Sequence, residues 1–315
     1  AVVKGGQVYI SNNSGISWVA RDSIRNWQSV SISRATGQYQ TAVVSGGFIY
    51  RSSNHGTSWI TRGLSRDYID IAISGNGETQ TAIVFEGDIY ISSDFGVSWT
   101  EVVLTNDWRG IAMDFNGVLQ MAVDSTGFVY KSNNNPNIWT SVEVSNGQPL
   151  NGISISRDNG QYQTAVGNTG DIYTSSDSGD TWLTNGLRES WSKVSVSENG
   201  VYQTACVDEG GIYTTNNNGG DWVEIKGVNS WWGAAMSSDG TIQITGEFGG
   251  NIYISRDSGN TWNLADTTTG SWTSFNMSAD GMIVTAFRGS THRSDDFGKT
   301  WTNLDHCVCW YSTTL

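Results

Sequence analysis

The sequence contains little proline and little cysteine. Among its 315 residues there are 2 Pro and 3 Cys. Cys206, Cys307 and Cys309 are too few and too unevenly spaced for a disulfide framework or a zinc site, so we predict two buried thiols and one spare, with no metal and no cofactor. A bridge from Cys307 to Cys206 or to another chain remains open in an oxidising compartment.

Positive charge is also scarce. Lys and Arg number 17 against 30 Asp and Glu, which gives a formal net charge of −13 at pH 7. Nucleic acids and anionic membrane surfaces both select clustered basic residues, so we expect neither as a partner. No apolar run approaches the roughly 18 residues of a membrane span, and no signal segment opens the chain. The first residues resemble the middle of a strand, as expected of a form processed from something longer.

What the sequence has in abundance is repetition. Eight segments of one pattern end in Trp at spacings of 39 to 43 residues. They are SNNSGISW, SSNHGTSW, SSDFGVSW, SNNNPNIW, SSDSGDTW, TNNNGGDW, SRDSGNTW and SDDFGKTW, ending at Trp18, Trp59, Trp99, Trp139, Trp182, Trp222, Trp262 and Trp301. A period of about forty residues predicts one supersecondary unit per repeat, packed against its neighbours.

Each repeat is predicted to contain four strands, A to D, exemplified by WQSVSIS, QYQTAVV, FIYRSS and SWITRG. One position just before strand C is Gly in all eight copies: Gly6, Gly47, Gly87, Gly127, Gly170, Gly210, Gly250 and Gly289. We expect it to need a positive φ or a close backbone approach in a hairpin turn. Four antiparallel strands per repeat are typical of a β-propeller blade.

The Trp-terminated segment resembles the Asp-box, or BNR repeat, Ser-x-Asp-x-Gly-x-Thr-Trp, of the sialidase-type propeller superfamily. The resemblance covers nearly the whole chain and implies an all-β propeller in which the box forms the turn between the third and fourth strands, away from any active site. The Asx positions of the box, which we expect to be structural, are Asn13, Asn54, Asp94, Asn134, Asp177, Asn217, Asp257 and Asp296. Asn in half of the copies argues against a calcium loop.

The two ends of the sequence complement one another. The first ten residues align with residues 41–50, which start at strand B, and the last six, 310–315, align with a strand A. Pairing these ends would complete the N-terminal blade and remove open sheet edges. We therefore predict one propeller domain over residues 1–315 with eight four-stranded blades, or, as the alternative, seven blades.

A second aromatic series follows each box Trp by about nine residues. Its members are Trp27, Tyr68, Trp108, Trp191, Trp231 with Trp232, Trp272 and Trp310, and the fourth repeat has Leu150 instead. These rings are either core spacers between blades, the interpretation that we favour on packing grounds, or half-exposed platforms for sugars. Repetition favours the second interpretation modestly, because equal weak sites add avidity.

Carboxylates near the loops between strands B and C are further candidates. Glu86, Glu209 and Glu247 are either solvated turn residues or ligand contacts, and a glycosidase would need two of them about 5–10 Å apart. No Arg-Ile-Pro segment is present, and His55, His292 and His306 lack triad or metal-ligand spacing. Catalysis therefore has little support in the sequence.

The sequence predicts a non-enzymatic binding or display propeller, with a multivalent, lectin-like carbohydrate-binding surface as the first hypothesis. The alternatives are a scaffold that docks another protein, similar to the photosystem assembly factors with this repeat or to a fibre or virion subunit, and a sialidase-like glycoside hydrolase. We expect the glycan or protein ligand on the loop surface with the second aromatic series, and an extracellular or surface location. A homo-oligomer is left open. A lectin needs the rings of the second aromatic series exposed on one surface, whereas a scaffold predicts that they are buried and that an apolar patch lies elsewhere.

Overall fold

The structure, a computed structural model, describes residues 1–272, 274–288, 290–304 and 310–312. Within these ranges the regular elements are β-strands, and no helix is long and apolar enough to cross a membrane. Cys206 is a buried free thiol, whereas Cys307, Cys309, Gly289 and residues 313–315 lie outside the described residues. Two compact units divide the chain: Ala1–Glu143 with Val308–Leu315, and Val144–Cys307.

The first unit contains the strands of the first four repeats and the C-terminal strand. They are β1 (Val2–Ile10), β2 (Val19–Ile32), β3 (Gln40–Val44), β4 (Gly47–Ser52), β5 (Ile60–Arg66), β6 (Tyr68–Ile73), β7 (Gln80–Val84), β8 (Gly87–Ser92), β9 (Thr100–Asn106), β10 (Trp108–Met113), β11 (Leu119–Asp124), β12 (Phe128–Asn133), β13 (Thr140–Glu143) and, from the end of the chain, β29 (Trp310–Ser312).

The second unit contains the strands of the later repeats. They are β14 (Gly152–Ile155), β15 (Gln163–Val166), β16 (Tyr173–Ser175), β17 (Leu183–Thr184), β18 (Trp191–Val196), β19 (Gln203–Val207), β20 (Gly210–Thr215), β21 (Val223–Asn229), β22 (Trp231–Met236), β23 (Gln243–Ser255), β24 (Asn263–Ser271), β25 (Ser274–Met277), β26 (Val284–Phe287), β27 (Thr291–Ser294) and β28 (Thr302–Asn303).

Successive strands pair antiparallel, in the order of the chain, to form the sheets of a β-propeller. The sheet β6-β7-β8-β9 is one example, with Ile83 opposite Ile89 and Tyr90 opposite Glu101. Strand B is buried along its whole length in this sheet, whereas strand D is mostly exposed. An inner strand packed on both faces and an outer strand facing solvent explain the apolar and polar stretches of each repeat. The prediction of an all-β propeller fold is confirmed.

The prediction of eight separate blades is wrong. The described residues form seven hydrogen-bonded sheets, which agrees with the seven-bladed alternative. The reason lies in β2, which continues without a break from Val19 to Ile32 and pairs with β1 near its start and with β3 near its end. Because one strand serves as both a D strand and the following A strand, the first two repeats share one six-stranded sheet.

The C-terminal strand joins this six-stranded sheet. In it, β29 pairs antiparallel with β1, with Val2 opposite Ser312 and Val3 opposite Trp310. The sheet order is β29-β1-β2-β3-β4-β5. The N-terminal strand therefore has hydrogen-bonded neighbours on both of its sides, and its edge is covered.

The hydrophobic core lies between the faces of adjacent sheets. One cluster in the first unit brings together Ile83, Ile89, Trp108 and Ala122, which come from two successive sheets. In the second unit a similar cluster joins Val166, Ile172, Trp191 and Ala205. Each repeat therefore buries its apolar side chains only by packing on the next repeat, as expected of a repeat protein.

A ladder of buried hydrogen bonds accompanies this packing. A Thr hydroxyl of one B strand donates to the Gln Oε1 of the next B strand in the pairs Thr41–Gln80 (2.7 Å), Thr81–Gln120 (2.5 Å), Thr164–Gln203 and Thr204–Gln243 (2.5 Å). Gln80 in turn donates from Nε2 to the carbonyl of Gly77 at 3.0 Å. Since a buried polar group without a partner is costly, the ladder fixes how each sheet lies against the next.

We expect Thr41→Val to lower the free energy of unfolding by about 1–3 kcal/mol, because the buried Gln80 Oε1 loses its donor while the side-chain shape is kept. Thr41→Ser, which retains a hydroxyl, should cost less. The exposed Thr61→Val on β5 serves as the control in urea unfolding. Equal effects of Thr41→Val and Thr61→Val would show that the ladder does not stabilise the fold.

Candidate binding surface

The Asx side chains of the boxes hold the turns between strands C and D. Asn54 Oδ1 accepts the backbone N–H of Ser58 at 3.0 Å, and Asp177 Oδ1 accepts that of Thr181 at 2.9 Å. The Gly of the box is left-handed, as at Gly56 with a φ of 75°. In the second box Trp59 Nε1 donates to the carbonyl of Gly56 at 3.1 Å. All these partners lie inside the box, so the motif closes its own turn and presents no ligand site.

The stability of the box turns depends on pH, and Asp177 shows the reason. The hydroxyl and the backbone N–H of Thr181 both donate to the Asp177 carboxylate, which lowers its pKa to about 2. A folded-state pKa below the unfolded value favours folding above about pH 4, and this contribution is lost as the pH falls toward about 2.

We expect Asp177→Asn to flatten the loss of stability in acid, because the amide keeps the Oδ1 acceptor, as Asn54 shows, but binds no proton. Urea midpoints measured between about pH 5 and about pH 2.5 test this expectation. The native protein should lose more stability over this range than the variant. Parallel curves would contradict a role for the ionised Asp177 carboxylate.

Six rings of the second aromatic series lie in the core, as the interpretation of core spacers requires, whereas Trp232 is exposed. Trp27, Tyr68, Trp108, Trp191, Trp231 and Trp272 are fully buried, as is Leu150 of the fourth repeat. They begin the A strands, where the chain crosses from one repeat to the next. Of Trp310 the structure describes the backbone in β29. Packing between sheets therefore decides the position of these rings.

In four repeats the buried ring is hydrogen-bonded to the recurring Gly. Indole Nε1 donates to the carbonyl of that Gly in the preceding sheet in the pairs Trp108–Gly87 (2.8 Å), Trp191–Gly170 (2.9 Å), Trp231–Gly210 (3.1 Å) and Trp272–Gly250 (3.0 Å). A Cβ on Gly87 would lie 2.6 Å from the Val84 side chain. The Gly is therefore required by close packing in a turn whose carbonyl is hydrogen-bonded to the ring.

We expect Trp108→Ala to lower the free energy of unfolding by about 3–5 kcal/mol, because it removes a fully buried ring and the partner of the Gly87 carbonyl. Trp232→Ala, at an exposed ring, should cost about 1 kcal/mol or less. Urea unfolding of the two variants makes the comparison. Similar costs for both would contradict the assignment of Trp108 to the core.

One surface of each unit combines the B–C turns with the D–A junctions, and we call it the turn surface. Its turns lie near residues 45–47, 85–87, 125–127, 167–170 and 208–210, together with the bend inside β23 at Gly249, whose φ is 76°. Its junctions lie near residues 67, 107, 144–151, 185–190, 230 and 272. Within single sheets, Phe85 N–H donates to the Asp67 carbonyl at 2.8 Å and Phe248 N–H donates to the Ser230 carbonyl at 2.7 Å. These backbone bonds hold each turn to its junction.

Trp232 is the predicted aromatic that the structure exposes. It lies on the turn surface of the second unit with 45% of its area accessible and stacks on Phe248, which is 50% accessible. The ring centroids are 5.0 Å apart at an interplanar angle of 28°. Trp232 Nε1 donates to Asp208 Oδ1 at 3.3 Å, and the next residue, Glu209, is exposed. The result is an open aromatic pair with the Asp208 carboxylate bonded to the indole and with Glu209 exposed in the same turn.

The three predicted Glu residues have different roles. Glu86 and Glu209 are exposed turn residues with left-handed backbones, at φ values of 47° and 58°. Glu247 is buried and accepts hydrogen bonds from Asn229 Nδ2 at 2.7 Å and from the Asn251 N–H at 3.0 Å. Glu247 therefore ties a junction to a turn, and the expectation that it contacts ligand is not supported by this geometry.

A Tyr of strand C lies beneath the turn surface, next to charged groups. Arg66 Nε donates to the Tyr90 hydroxyl at 3.0 Å, and Tyr90 donates to Glu101. Burial raises the pKa of Tyr90, and in the next sheet burial beside Asp124 raises the pKa of Tyr130 to about 12. A nucleophilic phenolate would need the opposite shift. Among the described residues, no group of three or more His, Cys, Asp and Glu side chains is placed to hold a metal ion.

Two cavities open on the turn surface. In the first unit a cavity of about 470 Å³ is lined by Arg66, Asp67, Phe85, Glu86 and Tyr90, among others. The second unit has a larger cavity of about 550 Å³ whose lining includes Gln148, Asn168, Asp171, Tyr173 and Arg188. The larger one lies where the repeat is least regular.

Comparisons with known proteins agree with the geometry of the repeat. The family model described as BNR-Asp box repeat matches residues 292–304, which confirms the resemblance to Asp-box propellers. A search of curated protein sequences gives no match.

Solved structures show the same fold at low sequence identity. YCF48 from Cyanidioschyzon merolae is 16% identical with a TM-score of 0.60, covering 86% of this chain and 93% of that one, and a structure described as YCF48 bound to D1 peptide is 17% identical with a TM-score of 0.61, covering 82% and 89%. Saccharomyces cerevisiae Sqt1 is 13% identical with a TM-score of 0.72, covering 98% and 90%. The GH74 enzyme of Niastella koreensis is 16% identical with a TM-score of 0.56, covering 96% of this chain and 62% of that one. Identities this low establish the fold alone.

Several residues of this surface were not among the site residues that the sequence predicted. Phe248 and Asp208 complete the exposed aromatic pair, and Asp171 and Arg188 line the larger cavity. The sequence did carry signals for them. Trp232 departs from the repeat as a second Trp after Trp231. The larger cavity is lined largely by residues of the longest interval between boxes, 43 residues from Trp139 to Trp182.

Proposed function

We propose that this protein is a non-enzymatic binding propeller that docks a basic peptide segment of a partner protein on the turn surface of its second unit. The observation that carries the proposal is the exposed, stacked pair of Trp232 and Phe248 on the Asp208 carboxylate, with the exposed Glu209 next to Asp208 in the same turn. Exposed aromatics that stay rigid by stacking are favourable anchors for a partner, because little side-chain entropy is lost on binding.

Charge complementarity determines the kind of peptide. The chain carries a formal net charge of −13, and the turn around residue 208 contributes two adjacent carboxylates. An Arg or Lys side chain can pair with these carboxylates while its cation lies over the indole of Trp232. An acidic segment would meet repulsion at the same place.

A relative with the same fold supports a peptide as the ligand. The structure described as YCF48 bound to D1 peptide is a propeller with a bound peptide. The burial of Trp27, Trp108 and Trp191 removes the repeated platforms on which the carbohydrate hypothesis depended. The raised pKa of Tyr90 gives no support to a glycosidase with a Tyr nucleophile.

Binding to a peptide array tests the proposal, with net peptide charge varied at constant aromatic content. We expect binding to increase with Arg and Lys content and to weaken with salt. Trp232→Ala should weaken binding by about thirtyfold, as truncation of an interface anchor does, and Asp208→Asn by a smaller factor. Phe85→Ala, at a ring on the first unit that is 42% exposed, is the matched control and should leave binding unchanged.

Three results would overturn the proposal: preference for acidic peptides, no binding to any peptide, or binding that neither Trp232→Ala nor Asp208→Asn weakens. A glycan array run in parallel tests the alternative that the aromatic pair binds carbohydrate. Salt-insensitive binding to neutral glycans that Trp232→Ala abolishes, without peptide binding, would assign the aromatic pair to carbohydrate instead.

A further inference from the structure

The larger cavity exists because two neighbouring parts of the repeat depart from the pattern. Between β13 and β14 the chain needs residues 144–151 to cross between repeats, whereas residue 67 or 107 alone suffices at the corresponding points of the first unit. In the following repeat the D strand, β17, ends at Thr184. Beyond it, the Asn185 N–H donates to the Ile172 carbonyl at 3.1 Å, and an isolated bridge joins Gly170 and Glu189. The outer strand is therefore interrupted, and the sheet is partly open at this point.

Asp171 shows the consequence of this opening. It occupies the position after the recurring Gly, where the third repeat has Asp88. Asp88 Oδ1 accepts the N–H of Leu104 at 2.9 Å and the hydroxyl of Thr105 at 2.7 Å, both from β9. Asp171 is 9% exposed, and its buried Oδ1 has no hydrogen-bond partner among the described residues. A buried carboxylate oxygen without a donor is unfavourable.

Arg188 stands at the sequence position of Thr105, counted from the box Trp, and replaces that hydroxyl donor. Its side chain lines the same cavity, is exposed and forms no ion pair within the described ranges. An unpartnered carboxylate oxygen and an unpaired guanidinium therefore belong to one cavity. Such a cavity calls for a ligand that can both donate and accept hydrogen bonds.

The rest of the lining narrows the ligand class. It is mostly uncharged and polar, with amides and hydroxyls of Ser145, Asn146, Gln148, Asn168, Thr169 and Ser190. Thr169 Oγ1 donates to Gln148 Oε1 at 3.2 Å. Asp171 and Glu189 outnumber Arg188 and so disfavour an anion, and the lining contains no aliphatic side chain, which disfavours a purely hydrophobic molecule. A neutral polyol satisfies both kinds of partner through its hydroxyl groups.

We propose that this cavity, between the 144–151 junction, the 167–171 turn and the 185–190 segment, is a binding site for a neutral mono- or disaccharide. Asp171 accepts hydroxyl hydrogen bonds and Arg188 donates to hydroxyl or ring oxygens. The volume of about 550 Å³ lies within the usual range of small-ligand sites. The site is independent of the peptide surface proposed above, because none of its lining residues belongs to the Trp232–Phe248 pair.

Calorimetric titration of the full chain tests this site with glucose, galactose, N-acetylglucosamine, lactose and sucrose as probes. We expect at least one of them to bind, and Asp171→Asn and Arg188→Ala each to weaken that binding by about tenfold, the usual effect of losing a charge-assisted hydrogen bond. Asp88→Asn, the same position in a regular repeat, and Trp232→Ala should leave the affinity unchanged. The two proposals can therefore fail separately.

Unfolding midpoints measured without ligand show whether a variant loses sugar binding because it folds poorly. Asp171→Asn should leave the unfolding midpoint unchanged or raise it, because it removes a charge with an unpartnered oxygen, whereas Asp88→Ala should lower it. Arginine amide and glucuronic acid serve as cationic and anionic competitors. The proposal is overturned if none of the five sugars binds, if sugar binding persists in Asp171→Asn/Arg188→Ala, or if a charged competitor binds in preference to all of them.

Discussion

The rest of the structure depends on how each sheet is fixed against the next. A buried ring near the start of strand A packs into that contact, and in four repeats its indole Nε1 donates to the carbonyl of the recurring Gly in the preceding sheet, as Trp108 does at Gly87 and Trp231 at Gly210. On the B strands, the Thr–Gln ladder adds a buried polar bond with strict geometric demands, as between Thr41 and Gln80. Packing of the buried rings holds neighbouring sheets together, and these hydrogen bonds fix the position of one sheet relative to the next.

This constraint separates the features that recur in the repeats from the positions at which single copies depart from the pattern. The Asp-box and the buried rings recur because every sheet needs them, so their repetition carries no information about a ligand. Ligand-binding chemistry is instead expected where a copy departs from the pattern without disturbing these contacts. Trp232 beside Trp231, and Arg188 at the position of Thr105, are departures of this kind, and both lie on the turn surface.

Much of the fold follows from the sequence, because local signals fix it. The box predicts the turn between strands C and D, alternation predicts the strands, and the recurring Gly predicts a tight turn. Strand continuity is not a local property. Nothing in residues 19–32 marks β2 as a single strand, so eight repeats suggested eight separate sheets, whereas the described part of the chain forms seven. The exposure of a ring is not local either, since Trp231 and Trp232 are chemically identical and packing alone buries the first and exposes the second. The Gln-Thr-Ala triplet recurs at residues 40–42, 80–82, 163–165 and 203–205, and this recurrence indicates the Thr–Gln ladder.

The central claim is that the buried rings of the aromatic series are structural and that the exposed member, Trp232, is free to meet a partner. Limited oxidation of the native protein with N-bromosuccinimide, followed by peptide mapping, measures the accessibility of each indole directly. The account predicts that Trp232 is oxidised early while Trp27, Trp108, Trp191, Trp231 and Trp272 stay protected until the protein unfolds. Oxidation of these five rings at the rate of Trp232 in the folded protein would contradict it.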